Sequence, residues 1–286
     1  MHLLKSRVRS LLAVGVLLLG SAALRAGGEP AATGITLHRL PGGLRFGLIG
    51  GRAAQPAPTL FVLQGNLDVA LREPIYTEVA RLMARHGFIS VLLDAPAHGE
   101  DHRAGEPTEL AAWRWRADRG EDFIGPFTAN ARAVLDYLVR ERYTDPARVA
   151  ACGTSRGGFL AFHLAAAEPR IRCIGGIAPL TDLMALREFA GTNHRAKAEA
   201  LSLIALAPRL AGRPTWVCIG NNDARVGTDQ VIAFTRALVN AAAATQKTDA
   251  AVPVKLIVNT SAGHRSSAQD HALLAAWLLR QFDLPP

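Results

Sequence analysis

Cysteine is scarce in this 286-residue sequence, which holds only Cys152, Cys173 and Cys218. None stands in a C-x-x-C pair or at zinc-site spacing, so the usual sequence signs of a structural zinc or a dithiol redox centre are missing. Each lies inside an apolar, strand-like run, and three buried free thiols are expected. Long apolar runs are missing too. The N-terminal run, residues 11–24, spans 14 residues, against roughly 20 needed to cross a bilayer. It follows His2, Lys5, Arg7 and Arg9 and precedes the small residues Ser21-Ala22-Ala23 and Ala26. The reading is a signal peptide over residues 1–26, cleaved on export to the periplasm or beyond, leaving no stable membrane anchor. No cysteine lies near the cleavage region to carry a lipid.

Charge of one sign is in modest excess. The net charge is +8, and residues 1–26 supply half of it through Lys5, Arg7, Arg9 and Arg25 without a single acid. No basic run alternates with aromatics as a nucleic-acid surface requires; Trp113-Arg114-Trp115-Arg116 is too short for one. There is no internal repeat and no long low-complexity linker. Residues 27–286 therefore read as a single domain, long enough for a substantial core.

What is present is an alternation of strands and helices. Residues 34–40 and 44–49 read as two strands around the turn Pro41-Gly42-Gly43. A third strand covers 59–63 and a fourth 88–93. Further strands lead into Gly153 and cover 171–177, 215–219 and 254–258. Helical spacing marks 75–85, 123–143, 230–239 and 268–279. Continuous apolar strands separated by helices imply a mostly parallel sheet covered on both faces, here of eight strands. Residues 180–212 exceed a simple crossover. They read as a small helical insertion at the C-terminal edge of the sheet, where a lid would sit.

Gly153-Thr154-Ser155-Arg156-Gly157 is the most informative stretch. Five letters alone fit a glycine-rich turn with a passive serine. Here an apolar strand enters, Arg148-Val149-Ala150-Ala151-Cys152, and an apolar helix leaves, Gly158-Phe159-Leu160-Ala161-Phe162. That context reads as a nucleophile elbow, whose glycines make room where side chains would collide.

A serine needs a base and the base needs an orienting acid, on loops past the C-terminal ends of later strands. His264 follows the 254–258 strand behind the flexible Gly263. His271 falls within a helix and is expected on its surface; His163, in the helix after Ser155, is expected to be structural. Asp223 directly follows the 215–219 strand. Asp182, after the 171–177 strand, is the alternative acid, and Asp229 suits a helix start better. The order serine, aspartate, histidine selects Ser155, Asp223 and His264. A tetrahedral intermediate also needs N–H donors. Arg156 supplies one, and Asn66 after the third strand the other, with Leu67 as its neighbouring alternative.

These pieces resemble the α/β-hydrolase superfamily, and most closely serine hydrolases of the dienelactone hydrolase and prolyl-oligopeptidase catalytic-domain type. The matching residues are Gly153 to Gly158, Gly220-Asn221-Asn222-Asp223-Ala224-Arg225-Val226, Ala262-Gly263-His264 and Asp94-Ala95-Pro96-Ala97-His98-Gly99. The resemblance implies an α/β-hydrolase fold and Ser155, Asp223 and His264 as the triad, with no cofactor. The common His-Gly pair after the third strand is Gln64-Gly65 here. No propeller domain fits upstream, which weighs against oligopeptidase activity. The expected function is an exported serine hydrolase that cleaves a small-molecule carboxylic ester. A prolyl-oligopeptidase-like peptidase acting on short peptides is the enzyme alternative, and a hydrolase-fold binding protein the other. His98-Gly99-Glu100-Asp101-His102 could be drawn as a metal site, but a solvated turn near the site mouth accounts for it better, and no metal is expected. Trp113 and Trp115, two apart on a helix, would face different ways, so at most one lines a pocket.

Overall fold

Among the described residues eight strands form one sheet: β1 Ile35–Arg39, β2 Arg45–Ile49, β3 Ala57–Leu63, β4 Ile89–Leu92, β5 Thr144–Thr154, β6 Ile171–Ile177, β7 Thr215–Asn222 and β8 Val254–Ala262. The computed structural model describes residues 34–245 and 251–285; the proposed signal peptide, residues 1–26, lies outside them. The strand order is β1-β2-β4-β3-β5-β6-β7-β8. β2 pairs antiparallel with β1 and β4, and the remaining pairs are parallel. This is the mostly parallel eight-stranded sheet of an α/β-hydrolase. The first hairpin closes at the turn read from Pro41-Gly42-Gly43, with Gly43 at φ +88° and its N–H on the Leu40 carbonyl at 2.8 Å.

Two apolar layers sandwich the sheet, because successive side chains of a strand point to opposite faces. From β3, Phe61 and Leu63 join one core and Leu60 and Val62 the other; from β5, Val149 and Ala151 join the first and Ala150 and Cys152 the second. Helices α4 (Ile124–Arg140), α5 (Arg156–Ala167), α7 (Leu203–Leu210) and α8 (Thr228–Thr245) cover the first face. Helices α2 (Glu78–Ala84) and α9 (Ala268–Gln281) cover the second. Among the described residues no helix is long and apolar enough to cross a membrane. Cys152, Cys173 and Cys218 are buried and unpaired. Burial pushes the Cys173 thiol up to about 12, so these thiols stay protonated and act as apolar filler.

Two readings of the sequence change, and one element is new. Residues 67–72 form a short helix, α1 (Leu67–Arg72), capped by the Asn66 side chain, which accepts from Asp68 N at 2.8 Å and Val69 N at 3.2 Å. His271 is buried rather than on a helix surface; α9 carries apolar neighbours on both sides of it and packs against α2. The 180–212 segment is helical, but only its first part borders the cleft, through Leu180 and Leu186. α7 instead packs against α5 and α8 as part of the helical layer.

Candidate active site

Ser155 stands between β5 and α5 with φ 55° and ψ −120°, a conformation that costs a non-glycine residue on the order of 1–3 kcal/mol. The surroundings impose it. Ser155 N–H donates to the Ile177 carbonyl at 3.0 Å, and the Ser155 carbonyl accepts from Leu180 N at 3.0 Å. The flanking glycines are required by space. A Cβ at Gly157 would stand 1.9 Å from the Leu63 carbonyl oxygen, and one at Gly153 would stand 2.2 Å from the Gly157 carbonyl carbon. The strand-to-helix turn can thus be tight enough to lift the hydroxyl clear of the sheet only with glycine at both positions.

The Ser155 Oγ lies 2.9 Å from His264 Nε2, and His264 Nδ1 lies 2.7 Å from Asp223 Oδ2. Asp223 is held from two sides. Its Oδ1 accepts from Arg225 N at 2.9 Å and Val226 N at 3.2 Å, and its own N–H donates to Thr228 Oγ1 at 3.0 Å. With Oδ1 committed to the backbone, Oδ2 is left for the histidine. The carboxylate side chain is fully buried while the imidazole is 26% exposed, so Asp223 is shielded and His264 reaches the cleft. Since a carboxylate oxygen only accepts, Nδ1 donates, and Nε2 is left to accept from the serine hydroxyl.

The other sequence candidates fall elsewhere. The Asp182 side chain accepts from Met184 N at 2.9 Å, capping a 3-10 turn at Leu183–Ala185. Asp229 lies in the first turn of α8. His163 is buried, with its Nε2 3.0 Å from the Leu201 carbonyl. Leu67 N–H is spent on Asp94 Oδ1 at 2.7 Å, which removes it as a free donor. Asn66 and Arg156 both line the cleft with Ser155 and His264. Arg156 opens α5, and the first N–H groups of a helix have no intrahelical partner.

The cleft has a volume of about 330 Å³, bordered by Tyr76, Leu110, Leu180, Leu186 and Val226 and by the charged Glu109, Arg156, Arg225 and Arg265. Neither Trp113 nor Trp115 is among its walls. Trp113, on α3 (Glu109–Asp118), is buried, donating from Nε1 to the Pro96 carbonyl at 2.6 Å and packing on Phe123 and Phe159. Trp115 lies under the Arg119 guanidinium, 3.4 Å from the ring centroid.

The segment 98–102 is a turn at the site mouth with Glu100, Asp101 and His102 exposed, but His98 departs from the solvated reading. His98 is buried, and its Nε2 meets Arg156 NH1 at 2.5 Å inside the cleft. Glu100 pairs with Arg39 and Asp101 with Arg116, while His102 Nε2 faces the Glu106 and Pro107 carbonyls. These side chains turn to separate partners and do not converge on one point. His98 is a cleft residue whose burial against Arg156 sequence reasoning missed. Its position just past β4, as Asp223 is just past β7, was the available signal.

The model of the prolyl oligopeptidase family matches residues 74–284. This chain belongs to the prolyl oligopeptidase family. It is accordingly a serine hydrolase, an esterase or a peptidase. A search of curated proteins found no match. Among solved structures, this family member is similar to TT1662 from Thermus thermophilus, with 20% identity, a TM-score of 0.64, and coverage of 86% of this chain and 97% of that one. It is similar to the acylaminoacyl peptidase of Pyrococcus horikoshii at 13% identity and a TM-score of 0.62, covering 89% of this chain but only 42% of the peptidase. A cold-adapted esterase from an Arctic intertidal metagenomic library matches at 17% identity and a TM-score of 0.59, over 86% of this chain and 92% of the esterase. At such identities the likeness establishes the α/β-hydrolase fold.

Proposed function

We propose that this prolyl-oligopeptidase-family protein is an exported esterase that cleaves small carboxylic esters through Ser155, His264 and Asp223. The observation that carries the reading is the unbroken line from Asp223 Oδ2 through His264 to Ser155 Oγ, with contacts of 2.7 and 2.9 Å. Ser155 Oγ attacks the ester carbonyl as His264 Nε2 takes its proton. Asp223 holds the imidazole in the required tautomer and stabilises the imidazolium. The N–H groups of Arg156 and Asn66 receive the oxyanion of the tetrahedral intermediate. Collapse expels the alcohol, protonated by His264, and leaves an acyl-Ser155. Water activated by the same histidine then releases the carboxylic acid. The reaction as drawn draws on side chains, backbone and water alone. Export rests on the basic and apolar pattern of residues 1–26.

A small ester is favoured by the compact, partly apolar cleft and by the match to a named esterase over nearly its whole length. A peptide substrate is the second reading, favoured by the family match itself. Turnover of short-chain 4-nitrophenyl esters against an X-Pro aryl amide separates the two. Efficient amide cleavage with negligible ester hydrolysis overturns the ester reading. Fluorophosphonate labelling tests the nucleophile: the wild type labels and Ser155→Ala does not.

A further inference from the structure

The proposed reaction needs two backbone donors that lie on different segments, Asn66 after β3 and Arg156 at the start of α5. One side chain touches both segments. The His98 ring lies against Gly65, where a Cβ would come within 3.2 Å of His98 Cδ2. Its Nε2 is 2.5 Å from Arg156 NH1, and its Nδ1 is 2.8 Å from the Pro96 carbonyl oxygen.

Only one arrangement of protons satisfies both ends of the ring. A carbonyl accepts and a guanidinium donates, so Nδ1 carries the hydrogen and Nε2 offers its lone pair to Arg156. A doubly protonated ring would aim an N–H at the guanidinium and break the contact. Burial, and then the Arg156 charge, hold the His98 pKa below the ordinary histidine value against the opposing pull of the Pro96 carbonyl.

The rest of the contact is fixed on both sides. Trp113 Nε1 donates to the same Pro96 carbonyl at 2.6 Å and its ring stands edge-on to His98 at 6.4 Å. Ala95 N–H donates to the Gly65 carbonyl at 2.8 Å, and Asp94 takes the Leu67 N–H at 2.7 Å. The loop holding Asn66 is thereby laced to the segment that carries His98. Among the described residues Arg156 has one other side-chain partner, Glu109, whose Oε2 lies 2.9 Å from NH2. That carboxylate is 66% exposed, and exposed ion pairs restrain little. His98 is the buried anchor.

We propose that His98 is a positioning residue: accepting from Arg156 while packed on Gly65, it sets the spacing between the Arg156 and Asn66 N–H donors. The inference rests on the esterase reading above. The Arg156 N–H belongs to the peptide that follows the strained Ser155 and lacks an intrahelical partner. A tether through its side chain restrains a group that helix bonding does not. His98 acts through Arg156 and makes no claim on the substrate, so its loss is expected in kcat more than in KM.

The test is a double-mutant cycle on 4-nitrophenyl butyrate with His98→Ala, Arg156→Met and the pair, plus His98→Gln. His98→Ala lowers kcat about 10- to 100-fold with KM nearly unchanged, the size of a small donor misplacement. In the Arg156→Met background the same change costs less than about threefold, because the tether is already gone. His98→Gln recovers most of the loss, since its amide oxygen can accept from Arg156. Thermal midpoints accompany each variant. Should His98→Ala not fold, Arg156→Met and His98→Gln still decide. An Arg156→Met protein with wild-type kcat overturns the proposal, as does an additive cycle or a glutamine variant no better than alanine. A wild type without Ser155-dependent turnover overturns the esterase reading, and this inference with it. Ser155-dependent turnover with an additive cycle overturns the inference alone.

Discussion

Glu188 and Arg225 meet in a two-point ion pair, NH2 to Oε1 at 2.7 Å and NH1 to Oε2 at 2.8 Å. The pair joins the segment between β6 and α6 (Arg195–Ala200) to the loop that holds Asp223. The Arg225 backbone N–H is itself one of the donors to Asp223 Oδ1, at 2.9 Å. One residue thus orients the Asp223 carboxylate through its backbone and anchors the loop through its side chain. Burial works to raise the Glu188 pKa, but the Arg225 hydrogen bonds and charge outweigh it, and the net shift is downward.

Glu188→Gln should therefore loosen the Asp223 loop. The pair is partly exposed, so the stability loss should stay below about 1 kcal/mol. The effect on kcat should be larger than the effect on the urea midpoint, because loop geometry is what the pair controls. A variant with unchanged kcat would show that the backbone bonds hold Asp223 unaided. The lowered Glu188 pKa makes the pair's contribution present above the ordinary carboxylate value and lost as the pH falls through the folded one.

Asp223→Asn should keep the fold and lower kcat by about 10³- to 10⁴-fold, judging from the Ser-His-Asp template. Asp182→Asn should leave kcat within a small factor, since that carboxylate only caps a 3-10 turn. Steady-state ester hydrolysis measures both, and the reverse ranking would reassign the acid.

Gly157→Ala should abolish the elbow. The new Cβ would lie 1.9 Å from the Leu63 carbonyl oxygen, with the Gln64 backbone nitrogen 2.9 Å away. That Leu63–Gln64 peptide is backbone and cannot swing aside, so a loss of about 3 kcal/mol or more is expected, or no soluble protein. Gly42→Ala, with nothing within 4 Å of the added Cβ, is the control and should be neutral within about 0.5 kcal/mol. Denaturant midpoints decide between them.

His163 predicts an acid-sensitive core. Burial pushes its pKa from 6.5 down to about 4, with the Leu201 carbonyl opposing. Above the unfolded value neither state binds the proton and nothing is lost. As the pH falls below 6.5 the unfolded chain takes up the proton first, and stability declines until the folded pKa near 4 is reached. The drop is about 3 kcal/mol at 1.36 kcal/mol per pKa unit. His163→Gln keeps a donor for Leu201 but cannot titrate. Its urea midpoint should fall less between pH 7 and pH 4 than that of the wild type. Parallel declines in the two proteins would rule His163 out as the source.

Much of the fold was legible because it is written locally. Apolar runs of four to eight residues marked β3, β4 and β6, and helical spacing marked α4 and α9. The strand 254–258 read from apolarity continues through Ser261 and Ala262, because polar residues extend a ladder once β7 offers partners. α1 escaped notice since six residues give little periodicity, although Asn66 before it is a standard cap. His98 and His271 were misplaced for one reason. Exposure depends on what other segments bring, and neither the Gly65 loop nor α2 is adjacent in sequence.

Ser155 and His264 are 109 residues apart, and the division between sequence and fold is clearest there. The sequence by itself determined the alternating strands and helices, the glycines that make the elbow possible, and the serine–aspartate–histidine order. These follow from backbone sterics and from spacing along the chain. Only the tertiary structure decided that His264 meets Asp223 and not Asp182, that Leu67 N–H is taken by Asp94, and that His98 faces Arg156. Those outcomes depend on strand order and register, which carry loops from distant parts of the chain to one edge of the sheet.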